Sequence, residues 1–297
     1  MAAESVGTDL GIASADYSTD EAERLSDYTI LELVLNDIVQ GRHEEVRGFL
    51  VDESRPGFTS PAWVIWEAEL LVSDVVSVDP ALLERMLGRL DRVDPTTRMD
   101  LHFERLHDVF TPAVAELERD AARARILIRL GRLEEARTVQ RRIADGPTYR
   151  GFASLREDVA RALEAELLLA SGDEAGALEA LRGIEFQVSS TANALPITHG
   201  THARALRAEL EMRLGDPTPA RHLWEAIAGG PSPDDKLYLS VANERLGRLA
   251  EAAGDREAAI YWTERFIRFR RGADPEFRGE TERAEARLEA LRATEDR

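Results

Sequence analysis

The chain of 297 residues contains no cysteine. Disulfides, thiol catalysis and cysteine-based zinc sites are thereby excluded, and a reducing cytoplasm is the expected location. Lysine is nearly missing as well. Lys236 is the one lysine, and arginine carries the rest of the non-histidine positive charge, a bias that usually follows a GC-rich bacterial genome. Positive charge is scarce overall: 38 Lys and Arg stand against 56 Asp and Glu, a net charge of −18. Duplex nucleic acid requires a basic face to neutralise phosphates, and an anionic membrane attracts one, so neither is an expected partner. No apolar run approaches the length that crosses a bilayer. Met1 to Asp20 lacks the basic start and apolar core of a signal peptide and reads as neither a leader nor an anchor. Aromatics amount to 6%, and alternating runs of Val, Ile and Thr are missing, which argues against sheet.

Chemistry-bearing motifs are missing too. There is no Gly-rich phosphate loop, no His-Glu-x-x-His helix and no Gly-x-Ser-x-Gly elbow. The six histidines are scattered. His199 and His202 lie three apart, but no carboxylate stands at a matching spacing to complete a metal site. The many carboxylates read as solvated helix faces. No catalytic residue, metal site or cofactor is read from this chain.

Ala, Leu, Glu and Arg dominate, and all are strong helix formers. A short phrase recurs among them: glycine, four mostly polar residues, then a small apolar residue. It stands at Gly41-Arg-His-Glu-Glu-Val46, Gly131-Arg-Leu-Glu-Glu-Ala136, Gly172-Asp-Glu-Ala-Gly-Ala177, Gly215-Asp-Pro-Thr-Pro-Ala220 and Gly254-Asp-Arg-Glu-Ala-Ala259. Successive glycines are 90, 41, 43 and 39 residues apart, and the Trp63–Leu90 stretch fills the first, double interval. About forty residues accommodate two helices and their turns. Glycine supplies the positive φ of a tight turn, the following Asp caps the second helix, and the small residue five positions on lets the two helices approach.

The pattern predicts helices with apolar faces at Ile30–Val39, Trp63–Leu71, Leu82–Leu90, Pro112–Leu130, Leu133–Ala144, Ser154–Ala170, Glu174–Ile184, Ala203–Leu214, Pro217–Ala228, Leu237–Ala253 and Arg256–Phe269. A further helix is expected over Arg98–Phe110. Residues 187–198 and 229–235 read as loops. The charged helix near Pro275–Leu291 reads as the solvating cap of an open stack. Three segments follow: a flexible arm at 1–22, degenerate helical repeats at 23–110, and the regular repeats with the cap at 111–297. Residues 1–60 hold thirteen acids against four arginines, which permits a basic partner. Trp63, Trp66, Trp224 and Trp262 read as interhelix packing, with the edge of Trp63 or Trp66 as an anchor for a partner.

The triplets Ala124/Gly131/Ala136, Ala165/Gly172/Ala177, Ala208/Gly215/Ala220 and Gly247/Gly254/Ala259 resemble the tetratricopeptide repeat, and Val34/Gly41/Val46 does so more loosely. The family's first-helix aromatic is replaced by Leu127, Leu168, Glu211 and Ala250, and its period is about thirty-four, shorter than here. The resemblance implies an all-α, right-handed α-solenoid of about six helix-turn-helix repeats with a C-terminal capping helix. The closing segment is similar to repeat arrays attached to bacterial kinases and transcription regulators. The family binds a protein or peptide on a concave face lined by first helices. Carried over by register, that implies a groove of Arg125, Ile128, Val159, Glu166, Leu169, His202, Glu209, Met212, Glu244, Arg248 and Glu251. The leading expectation is therefore a non-catalytic interaction scaffold. The alternative is a regulatory region of a larger chain that senses a small ligand between repeats.

Overall fold

The structure is a computed structural model that describes residues 27–53, 61–73, 75–76, 78–94, 112–146, 154–184, 200–230 and 233–293. The expected arm at 1–22, the helix at 98–110, the loop at 187–198 and His199 lie outside these residues. Among them the chain is all-helical. No helix among them is long and apolar enough to cross a membrane.

In chain order the helices are α1 (Asp27–Gln40), α2 (His43–Val51), α3 (Pro61–Val72), α4 (Pro80–Leu90), α5 (Pro112–Arg129), α6 (Leu133–Ala144), α7 (Leu155–Ala170), α8 (Glu174–Arg182), α9 (Thr201–Leu214), α10 (Pro217–Ala228), α11 (Pro233–Leu237), α12 (Leu239–Ala252), α13 (Arg256–Phe269) and α14 (Arg278–Ala293), with a 3-10 turn at Pro275–Phe277 before α14. Consecutive helices pack as pairs: α3 with α4, α5 with α6, α7 with α8, α9 with α10, α12 with α13. Each pair then leans on the next, through α3 on α5, α6 and α5 on α7, α8 on α9, and α10 on α12.

The repeated phrase explains the pairing. Gly41, Gly131, Gly172 and Gly254 have φ between 73° and 86°. In each copy the glycine N–H donates to the carbonyl three residues back, and the next N–H donates to the carbonyl five back, for example Gly131 to Ile128 and Arg132 to Leu127. That closes the first helix while sparing its last carbonyls. Asp173 and Asp255 then accept from the N–H groups of Gly176 (2.8 Å) and Ala258 (3.1 Å). The small partners Ala136, Ala177, Ala220 and Ala259 are fully buried at the crossings. Gly215 departs from the expected turn, with φ −130°. Pro217 is the reason. It drives the preceding Asp216 to ψ 126°, where the same position in the other copies has ψ between 57° and 82°, because a residue before proline is excluded from smaller values by the ring.

Two other features depart from the sequence reading. The loop expected over 229–235 gives way to α11 at Pro233, and the helix expected from Leu237 is interrupted at Tyr238, which caps α12. The array is also not open where the cap was expected to close it alone. α14 does pack on α13, but α1 packs on α11 and α12. The α1–α2 turn meets the far end of the chain: Asp274 N–H donates to the Gly41 carbonyl (2.9 Å), Glu44 N–H donates to Asp274 Oδ2 (2.8 Å), and Arg47 pairs with Glu276 (3.3 Å). Lys236 pairs with Glu32. His43, wholly buried, stands edge-on to the Phe277 ring at 4.5 Å, and Arg270 stacks on the same ring. One continuous apolar core runs from Val34 and Leu35 through Leu70, Leu127 and Leu163 to Trp224 and Leu246.

Two outcomes follow from this closure. A Cβ on Gly41 would overlap Arg270 Nη1 and meet Ala273 Cβ at 2.9 Å, whereas one on Gly254 meets nothing. Both glycines have positive φ, which costs other residues about 1–2 kcal/mol. In urea unfolding, Gly254→Ala should lose about that much and Gly41→Ala at least about 1 kcal/mol more, from overpacking; equal losses would mean the terminal contact is absent. Burial, aided by the neighbouring Arg270 guanidinium and opposed by the Ile38 carbonyl, Glu276 and Asp274, pushes His43 down from 6.5 to about 4. The unfolded chain therefore takes up this proton first as pH falls. Stability from His43 is present above pH 6.5 and lost toward pH 4, by about 3 kcal/mol. The wild-type advantage over His43→Leu should shrink by that amount between pH 7 and pH 4, and a pH-independent difference would refute the burial.

Candidate functional site

The first helices bring a line of polar side chains into the interior. Six residues before their turn glycines stand Arg125, Glu166 and Glu209, one register position in three consecutive units. Opposite charges in adjacent units pair across the interface. Arg125, about 5% exposed, donates from Nε to Glu166 Oε1 (2.9 Å) and from Nη1 to Glu69 Oε2 (2.7 Å). Burial alone would pull this guanidinium down, but the two carboxylates more than restore it, and Arg125 titrates above its ordinary range. Burial in turn pushes the Glu69 carboxyl up, against the pull of Arg125. The line continues through His202, whose Nε2 lies 3.7 Å from Glu166 Oε1 and whose Nδ1 is 2.6 Å from the Tyr238 hydroxyl. Residues of α3, α5, α7, α9 and the α11–α12 junction are thus tied in sequence.

A second cluster lies beside it. Arg245 donates to Glu209 Oε1 (2.6 Å) and to Glu244, and Arg287 of α14 reaches Glu244 Oε1 (3.3 Å). Burial pulls Arg245 down, but Glu209 and Glu244 together keep it above its ordinary range.

A cavity of about 200 Å³ opens where the two clusters meet. Its walls are Val75, His202, Ala205, Leu206, Glu209, Trp224, Tyr238, Val241 and Arg245. Val75 follows α3 and the other residues belong to 202–245, so the cavity exists only because the array brings its early and late units together. Tyr238 is held there by its short helix. Asp235 accepts from Thr201 Oγ1 (2.8 Å) and from Arg204 (2.6 Å) of α9, and Lys236 faces Glu32 of α1. An apolar hollow with a few convergent polar groups is the usual form of a small-ligand site. Among the described residues no group of three His, Cys, Asp or Glu side chains is placed to hold a metal.

The eleven groove positions divide by burial. Arg125, Val159, Glu166 and Glu244 are buried; Ile128, Leu169, His202, Glu209 and Met212 are half-buried; Arg248 and Glu251 are exposed. Arg125, Glu166 and His202 meet one another, Glu209 and Glu244 meet Arg245, and the rest do not join these clusters. Glu69, Val75, Trp224, Tyr238 and Arg245 were missed as site residues. Glu69 and Val75 belong to the unit without the glycine phrase, where no register could be assigned. The alternation of Arg125 with Glu166 forty-one residues later was a legible signal for mutual pairing. Trp63 and Trp66 pack edge-on at 5.3 Å, and Phe49 joins Trp63 at 6.2 Å.

Compared with protein-family models, curated proteins and solved structures, the chain finds no match.

Removing one member of a buried ion pair strands its partners, at a cost of about 3–5 kcal/mol, whereas replacing all members by apolar residues is often neutral. Arg125→Met should therefore lower unfolding stability by roughly that amount. The combined Glu69→Leu, Arg125→Met, Glu166→Leu variant should recover most of the loss in urea unfolding. A single variant of wild-type stability would show that the clamp does not form.

Proposed function

We propose that this chain is a non-catalytic regulatory module: a tetratricopeptide-like α-solenoid, drawn into a closed array, that senses a small ligand in its interior. The observation that carries the reading is the cavity between the α9–α10 and α12 units, apolar in its body and edged by His202, Glu209, Tyr238 and Arg245. The helix pairing, the glycine turns and the register of small residues support the repeat assignment. The resemblance to repeats of bacterial signalling proteins supports a place beside a kinase or transcription regulator. In such a module the ligand stabilises the form that binds it, in proportion to occupancy.

A protein-binding scaffold is the second reading. It draws on Ile128, Leu169 and Met212, half-buried along the first helices, and on Arg248 and Glu251, which face solvent. The outer face of α13 adds Tyr261, 50% exposed, with Arg265 stacked against both Tyr261 and Trp262. The ligand reading is preferred because the charged groove positions nearest the centre are already paired with one another.

The test is thermal unfolding of the wild type with the small-molecule filtrate of a bacterial extract. The midpoint should rise by several degrees. It should not rise for Ala205→Met, which fills the cavity from its own wall, compared with that variant's own baseline. A midpoint unmoved by the filtrate, or moved equally in both proteins, would remove the reading.

A further inference from the structure

The seam between the α1–α2 hairpin and the end of the chain buries two groups that it does not satisfy. Arg270 of α13 is about 5% exposed, and its Nε and Nη1 have no hydrogen-bond partner among the described residues. Its guanidinium lies over the Phe277 ring at 4.5 Å, against the Gly41 turn. His43 of α2 is wholly buried beside the same ring, and neither ring nitrogen has a hydrogen-bond partner among the described residues. A buried donor without an acceptor bears the full penalty of leaving water, and a buried charge without a counter-ion bears more. Stacking on a ring returns part of it. Arg125 shows the contrast, since carboxylates meet it from both sides. The hairpin supplies Gly41 to the enclosure of Arg270 and the later turn supplies Phe277 to that of His43, so parting them lets water reach both groups.

Two kinds of contact oppose this. Leu35 and Ile38 are buried in the common core. The ion pairs Arg47–Glu276 and Glu32–Lys236 lie at partly exposed positions, where such pairs contribute little. The hairpin packs on α11 and α12, remote in sequence, more than on α3 or α4, which follow it. Its departure leaves each pair from α3 to α13 with its partner. Acid gives the seam a direction. His43 faces Arg270 from α13 and Asp274 and Glu276 from the turn. Burial and the Arg270 charge hold its proton off down to about pH 4, against an ordinary 6.5, and the two carboxylates offset them in part. The released ring is the better base, so acid between those values favours release. Asp37 of α1, pushed up by burial, acts in the opposite sense.

We propose that the α1–α2 hairpin is an acid-sensitive latch, which releases from Arg270 and the Asp274–Phe277 turn as one unit while the pairs from α3 to α13 stay folded.

Native-state hydrogen exchange of the full chain, read by peptide mass spectrometry in low concentrations of urea, tests this. The amides of α1 and α2 should share one protection factor, at least about tenfold below that of α5 to α8, with a shallower dependence on urea. Arg270→Met, which removes the unpaired charge and keeps a long side chain, should raise hairpin protection about tenfold, the effect of relieving one buried donor. With intrinsic exchange corrected at each pH, wild-type hairpin protection should fall about twentyfold from pH 7 to pH 5, and His43→Leu should lack that fall. Hairpin amides that exchange with the level and urea slope of α5 to α8 overturn the separate latch. Equal or lower hairpin protection in Arg270→Met overturns the role of the unpaired guanidinium. A pH response that survives His43→Leu overturns the acid trigger. If Arg270→Met does not fold, the wild-type urea slopes and the His43 comparison decide.

Discussion

The placement of Arg125 between Glu69 and Glu166 constrains the rest of the molecule. A guanidinium this deep is tolerated only if carboxylates meet it with good geometry, because the penalty for stranding a charge exceeds what any single apolar contact returns. The two carboxylates come from the units on either side. The α3, α5 and α7 helices must therefore stand at one relative height and rotation. Apolar packing alone would not impose this. Alanines and leucines slide past one another at little cost, whereas an ion pair displaced by one helical turn leaves both partners unpaired. The glycine turns fix geometry within a unit, and the buried charges fix it between units.

The second constraint is the closing of the chain on itself. An open stack of helix pairs exposes apolar surface at each end and needs polar caps there. Here the charged α14 covers α13, and the α1–α2 hairpin covers α11, α12 and the Pro275–Phe277 turn. The contact is tight enough for Gly41 to have no room for a side chain beside Arg270. It also brings Glu32 of α1 against Lys236 of α11. Some of the charge asymmetry visible in residues 1–60 is accordingly internal, as in the Glu32–Lys236 pair.

The helices and the turns were legible because both depend on local rules. Positive φ at glycine, aspartate at the cap and small residues at the crossing all act within twenty residues, and most helix limits agree with the spacing to within one or two positions. Gly215 was misread because Pro217 changes the turn, a conflict visible in the sequence once both residues are weighed together. The closure was not legible. Nothing near Gly41 shows that its neighbour is Arg270, since that contact depends on the summed rotation of every intervening pair. The site was half legible for the same reason. Register from the turn glycine found Arg125, Glu166, His202 and Glu209, but it could not say whether they face water or each other. It also had no purchase on Glu69, Val75 or Tyr238, which sit where the repeat is degenerate or broken.

The cavity lies at such a break. Ala177, Leu178 and Leu181 of α8 pack with Ala203 and Leu210 of α9 in one apolar cluster. Between α10 and α12 the chain inserts α11, a short helix set off by Tyr238 from an α12 as long as α9. A short helix set off from its successor cannot present an unbroken row of side chains to the preceding unit, and the large Trp224 and Tyr238 wall the space without closing it. Asp235 and Lys236 anchor α11 to α9 and α1, so the irregularity is held in place from both sides. An array of paired helices gains a hollow most readily where its periodicity fails, because side chains at regular spacing interdigitate closely. In this chain the hollow lies between the α9–α10 pair and the interrupted unit that follows it.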